Sequence, residues 1–343
     1  MAHNRSPIPD GPPKKTSFTF QLTKPQQNAL ITLLQTGNYR FMAVPHTLYA
    51  AATDDFNVSL YNSGKCLVQG RGAQNFVSFT LEPQILKDVR IGYDEILFPE
   101  MFEEHMGVDE SGKGDFFGPL VIACAYSDRD LAKIMKDMGV RDSKAITSDK
   151  KTLDLAAQIQ KLLGNRFSLV TIGPATYNRL YANMLSVNRM LSWGHARAIE
   201  NLLEKVPNCP KAISDQFGAK HQIERALMRK GRAITLVQRH RAESDVAVAA
   251  ASVLARAEFL KALRNLAKEH DMPFPKGASS AVQECAYELV RRKGPQVLLQ
   301  VAKCHFKTAD SVLARAGLTR DALGPEGAAV SQTQRPETDV ETP

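Results

Sequence analysis

"GVDESGKGDFFGPLVIACAY", residues 107–126, decides how this chain is read. Gly107 to Lys113 has the outline G-x-x-x-x-G-K of a phosphate-binding loop, yet Gly114 stands where such a loop needs the Ser or Thr hydroxyl that holds magnesium. Asp109 and Glu110 lie inside it, and two carboxylates repel a phosphate that arrives without a metal. The P-loop outline therefore fails. A charged turn between two strands and a device in which the carboxylates act remain. The apolar residues on either side, "HMGV" and "PLVIACAYS", predict a strand before the glycine-rich loop and another after it.

Outward from this stretch the pattern changes. Strands are predicted at "FSLVTIGP", "KAISDQF" and "AITLVQR", helices at 149–163, 177–205 and 219–230, and nearly continuous helix after residue 244, broken at "DMPFPKGASS" and "RRKGPQ". A strand pair, then strand-helix alternation, then helices describes an α/β domain over residues 91–317, with a mixed sheet flanked by helices. Residues 16–90 read as a separate small α+β domain. "SFTFQL" alternates as a strand, and Thr23, Pro25 and Gly37 start and stop a helix with a Leu30, Leu33, Leu34 stripe. "HTLYAAAT", "FNVSLYNSGKCLVQGRG" and "FVSFTL" then follow as a predicted antiparallel meander, whose open face bears Lys65 and Arg71. Residues 1–15 read as a flexible leader and 318–343 as a disordered tail.

The chain has 343 residues and a formal net charge of +8, and residues 318–343 contribute two basic and five acidic groups, so the remainder holds +11. That excess suits a polyanionic partner. Five widely spaced cysteines without a C-x-x-C pair argue against a disulfide framework or a zinc site and for a reducing compartment. No apolar run reaches the roughly 18 residues of a membrane span, so a cytoplasmic protein without membrane contact is expected. Nothing in the sequence demands more than a monomer.

Three acidic places stand at the ends of predicted elements. Asp109 and Glu110 close a strand; neighbouring strand residues point to opposite faces, so both can serve one site only if the strand ends there. Asp215 closes the "KAISD" run, where a sheet of this kind places catalytic groups, although such an Asp also suits a turn or a cap. Glu243 and Asp245 precede an alanine-rich helix, where an acid can be a helix cap and nothing more. Carboxylates in a basic chain lacking Cys or His metal motifs suit oxygen-ligated Mg²⁺ or Mn²⁺, two of which can drive an in-line phosphodiester displacement. Ser143 and Lys144, in "VRDSKAIT", can reach phosphate; a plain helix-entry turn explains them equally. His195, His221, His240 and His305 fit no zinc spacing and read as surface or core residues.

"GVDESGKGDFFGPLVIAC" resembles the first active-site motif of type 2 ribonucleases H, and its D-E-S-G-K-G-D-F-F-G-P form resembles the bacterial ribonuclease HIII branch, since ribonuclease HII usually has arginine between the two glycines. "RDSKAIT", "NRMLSWGHARAI", "SDQFG", "AESDVAVAAASVLAR" and "HFKT" follow in family order. "YNSGKCLVQG", residues 61–70, is similar to the substrate-binding N-terminal domain of that branch, which has a TATA-binding-protein-like fold. The resemblance implies a ribonuclease H-like fold and metal-dependent endonucleolytic cleavage of the RNA strand of RNA/DNA hybrids, leaving 3′-hydroxyl and 5′-phosphate ends. It implies that Asp109, Glu110 and Asp215 hold the ions, with Asp109 bridging both, and that Glu243 is the fourth acid with Asp245 as alternate. It further implies that Ser111, Gly112, Lys113 and Gly114 meet the RNA strand near the scissile phosphate.

Overall fold

A computed structural model describes residues 16–86, 99–140, 146, 148–215, 223, 226, 227, 234–239 and 242–330. The chain divides into two units, Met1–Glu100 and Met101–Pro343. The division falls about ten residues after the expected boundary at 90/91. The leader, Ser143, Lys144 and most of the predicted 219–230 helix lie outside the described residues.

In the first unit, β1 (Ser17–Gln21), β2 (Arg40–Phe41), β3 (Thr47–Ala52), β4 (Phe56–Tyr61) and β5 (Lys65–Gly70) form one sheet in the order β1-β5-β4-β3-β2. All its pairs are antiparallel. Helix α1 (Lys24–Thr36) begins as predicted: the Thr23 N–H donates to Gln26 Oε1 at 2.9 Å, closing the first turn.

The strand predicted at "FVSFTL" is instead helix: α2 (Ala73–Phe76) runs into a π-helical stretch, Val77–Leu86. Phe76, Val77, Leu81 and Ile85 share one buried cluster with Leu30 and Leu34 of α1 and with Val58 and Val68 of the sheet. Covering one sheet face takes both helices, and that burial overrides the alternation that suggests a strand. The opposite face carries Thr19, Leu67, Ser59 and Ala50 in one row, with Lys65 opposite Gln21 in the next.

The second unit is built on β6 (His105–Ser111), β7 (Leu120–Ser127), β8 (Phe167–Ile172), β9 (Lys211–Asp215) and β10 (Thr235–Arg239), in the order β10-β9-β6-β7-β8. Pairs β6–β7 and β7–β8 are antiparallel, and β6–β9 and β9–β10 are parallel, so the expected mixed sheet is present. Every residue of β7 is buried, which accounts for its unbroken apolar run: helices cover both of its faces.

Helices α3 (Arg129–Asp137), α4 (Asp149–Leu163), α5 (Pro174–Met184) and α6 (Val187–Leu203) follow β7 and β8. The single helix predicted over 177–205 is thus two. Leu185 turns left-handed at φ 51°, and Ser186 caps the second helix. Helix α7 (Val246–His270) crosses the sheet, its buried Ala247, Ala249, Ala250 and Ala251 allowing close approach. A Cβ on Gly107 would lie 2.1 Å from the Val248 nitrogen, so the first glycine of the apparent P-loop is there for helix packing.

Helices α8 (Ser280–Lys293), α9 (Val297–Val301), α10 (Lys307–Arg315) and α11 (Pro325–Ala328) complete the unit. The expectation of a disordered tail from 318 is therefore corrected for residues 318–330. Arg320 pairs with the Asp310 carboxylate and donates to the carbonyls of Cys304 and Gly327, and Leu323 is buried. Local polarity hides this fit because one arginine satisfies carbonyls distant in sequence.

Candidate active site

The site lies where β9 leaves β6. Their pairing ends at Val108 and Ser214, one step before Asp109 and Asp215, whereas β6 stays paired with β7 as far as Ser111. The two aspartates thus follow the last paired positions of adjacent parallel strands and share a face. Such a split at the carboxyl ends of strands is where open α/β sheets receive ligands.

β6 does not end at Glu110, contrary to the requirement drawn from the sequence, and its neighbours diverge as strand geometry dictates. Asp109 faces α7 and is hydrogen-bonded by Ser252. Glu110 faces α6, where His195 Nε2 lies 3.1 Å from its Oε2. His195 is fully buried, so of the two readings, surface or core, the core one holds, and its hydrogen-bond partner is an expected metal ligand. The nearly continuous burial from Met190 to Ile199 marks only a packed helix; the partner comes from the fold.

Electrostatics separate the two carboxyls. Burial, then the Glu110 charge, push Asp109 up to about 6 against the opposing hydrogen bonds of Ser252 and the Glu110 N–H, the latter 2.8 Å from Asp109 Oδ1. Burial also raises Glu110, but the His195 hydrogen bond and the charges of His195 and Lys113 together outweigh it and hold the carboxyl below its ordinary value. Lys113 Nζ is 3.7 Å from Glu110 Oε1.

The loop after β6 contains the other expected contacts. Ser111 ends the strand, and Gly112 sits at φ +90° where a Cβ would meet the Pro119 carbonyl at 2.2 Å, so this turn needs glycine. Gly114 differs: a Cβ there would touch nothing within 4 Å. Lys113 and Gly114 are exposed. In the first unit, Lys65 stands on the open sheet face, whereas Arg71 lies in the turn after β5, 3.6 Å from Asp55.

Asp245 is placed away from this split. Its Oδ1 accepts from the Ala247 and Val248 amides at 2.9 and 3.1 Å, and it lies 3.0 Å from His105 Nε2. His105 opens β6, about 13 Å along the strand from Asp109 at ~3.3 Å per residue. The Ala242 amide, in contrast, points at Asp215 Oδ1 at 3.5 Å, so Glu243 follows directly on a contact with the site; its side chain lies outside the described atoms.

Among the described residues no three His, Cys, Asp or Glu side chains close around one point. The available donor set is the aspartate pair with Glu110 on the other face. That set fits an ion that keeps several waters and takes substrate oxygens, rather than one held in a protein cage.

Both units of the chain match known proteins. The family described as Ribonuclease HII matches residues 106–309, and a family described only as a domain of unknown function matches residues 17–88. The chain is 40% identical over 306 residues to Ribonuclease HIII of Protochlamydia amoebophila, covering 89% of this chain and 98% of that protein. It is 41% identical over 301 residues to Ribonuclease HIII of Chlamydia muridarum, covering 87% and 97%. The crystal structure of Bst-RNase HIII in complex with Mn²⁺ superposes with a TM-score of 0.62 at 27% identity, covering 88% of this chain and 99% of that one. With relatives this similar along nearly their whole length, and with both units accounted for, the chain belongs to the ribonuclease HIII family.

Proposed function

We propose that the chain hydrolyses the RNA strand of RNA/DNA hybrids at the split between β6 and β9, leaving 3′-hydroxyl and 5′-phosphate ends. The observation that carries this reading is the placement of Asp109 and Asp215 just past the last paired positions of two parallel strands, beside a glycine turn whose outer backbone at Gly114 is bare. Asp109, Asp215 and Glu110, with Glu243 as fourth acid, are the groups that hold Mg²⁺ or Mn²⁺; Bst-RNase HIII, a relative, is a Mn²⁺ complex. Such ions supply an activated water and neutralise the leaving oxygen. Glu110 contributes by turning from His195 toward the split.

The chain's own groups handle the substrate. The turn from Gly112 to Gly114, exposed at Lys113 and Gly114, admits the RNA strand, where 2′-hydroxyls distinguish it from DNA. Lys113, with Ser111 beside it, faces the phosphate. Ser143 and Lys144 are proposed as further phosphate contacts, and Lys65 with the open sheet face as a second hybrid-binding surface, to which Arg71 adds charge. All proposed donors come from one chain, so a monomer suffices. All five thiols are free, as suits the reducing cytoplasm, and no described helix is long and apolar enough to cross a membrane.

Cleavage of a labelled hybrid with Mg²⁺, Mn²⁺ or EDTA tests the reading. Cutting of the RNA strand with either ion and none with EDTA is expected. Equal cutting of a DNA duplex containing one ribonucleotide would instead favour ribonuclease HII-like specificity. Gly114 gives a finer test. Because its Cβ space is empty in the protein alone, Gly114→Ala should leave the melting temperature unchanged and weaken hybrid binding about 5–10-fold, roughly 1 kcal/mol. An equal loss of stability would make Gly114 a folding residue instead.

A further inference from the structure

Lys303 is fully buried, yet no part of the proposed reaction uses it. Its ammonium donates to the carbonyls of Asp115, Phe117 and Gly118 at 2.7, 3.2 and 2.7 Å. Its ring neighbour is Tyr177, whose centroid lies 5.8 Å away. The backbone repeats the link: the Lys303 amide donates to the Phe116 carbonyl at 2.8 Å, and the Gly118 amide to the Val301 carbonyl at 2.9 Å. From the other side, the Gly277 amide donates to Asp115 Oδ1 at 2.6 Å, while the Phe116 amide donates to the Gly277 carbonyl at 2.9 Å.

These contacts converge on the second half of the β6–β7 loop, whose first half is Gly112-Lys113-Gly114. Three carbonyls aimed at one point repel one another unless a cation sits among them. A lysine has the three donors that this requires. Burial lowers its hold on the proton, and the Asp115 charge opposes that.

We infer that Lys303 is a positioning residue for RNA recognition: by gathering the carbonyls of Asp115, Phe117 and Gly118 it fixes the loop so that the Gly112–Gly114 backbone meets a ribose strand in one geometry. The inference rests on the hybrid reading above. It assigns to Lys303 the discrimination between hybrid and DNA duplex rather than metal binding or chemistry.

The test measures dissociation constants for an RNA/DNA hybrid and for the matching DNA duplex, by fluorescence anisotropy in Ca²⁺, on the full chain and on Lys303→Met. The preference for hybrid should fall at least five-fold in the variant, with Mn²⁺ affinity measured alone within two-fold of wild type. Lys303→Arg, which keeps the cation and its donors, should recover most of the preference. A folded Lys303→Met that keeps the full preference overturns the inference. Amide exchange on the wild-type protein decides the case in which the variant does not fold. The Phe116 and Gly118 amides must be slow to exchange before any nucleic acid is added, and rapid exchange there overturns the inference as well. Lack of any hybrid preference in the wild type would strike at the hybrid reading itself, a distinct result.

Discussion

Asp109→Asn should abolish metal-dependent cleavage and at the same time make the metal-free protein more stable. The first effect follows from removing a carboxylate that would hold the proposed ions, a loss of several kcal/mol of transition-state stabilisation, or about a thousand-fold in rate. The second follows from the raised pKa. Asp109 titrates at about 6 in the folded chain against an ordinary value of 3.8. Above both values the carboxyl is ionised in both states, and the folded state bears the cost of holding that charge beside Glu110 in a partly buried place. Below both it is protonated in both states and the cost is absent. The penalty therefore appears as pH rises through about 4 to 6 and is complete above that, the reverse of a salt-bridged aspartate. Two units correspond to about 2 kcal/mol after allowance for the partial exposure of the group.

Melting in EDTA at pH 8 should therefore place the Asn variant above wild type by about 4–8 °C, with the difference vanishing below pH 4. Added Mn²⁺ reverses the order, because binding to the folded state stabilises only the chain that retains its ligand. A variant that is less stable than wild type at pH 8 without metal would refute the account of Asp109 as a charge held ready for an ion. Retained cleavage would refute its place in the site.

Much of this is legible in the sequence. All five strands of the second unit stand where apolar runs bounded by turn residues predict them, because a sheet covered on both faces leaves a plain hydrophobic signature. Asp109, Glu110 and Asp215 were legible as acids at strand ends. Their convergence was not, since it depends on β9 leaving β6 after residue 214 while β7 does not leave, a register fact that no local pattern encodes. His195 and Lys303 escaped for the same reason. Each is an ordinary letter in a helix or turn until its partner, 85 or 185–188 residues away, is brought against it. The "FVSFTL" segment reads as a strand because Val77, Phe79 and Leu81 alternate with Ser78 and Thr80, and only the need to cover the sheet in the first unit, met by Phe76, Val77 and Leu81, decides for helix.

The buried start of α7 bears on the choice between Glu243 and Asp245 that spacing leaves open. Asp245 is already committed: its carboxylate caps α7 through two amides and meets His105 at the start of β6, with 5% of its surface exposed. Asp245→Ala should lower stability by about 3 kcal/mol, combining a lost cap with a buried histidine left without its partner, while cleavage per folded molecule well below the melting temperature stays within a few-fold. Asp245→Asn, which keeps an acceptor for the amides, should lose less. Glu243→Gln should do the opposite. Its segment begins at the Ala242 contact with Asp215, so stability should change little while cleavage falls about a hundred-fold or more. Melting curves and single-turnover cleavage on the same preparations separate the two roles. An inactive, stably folded Asp245→Asn beside an active Glu243→Gln would exchange the assignments, and would require the helix cap itself to let go of its carboxylate when the substrate and its ions arrive.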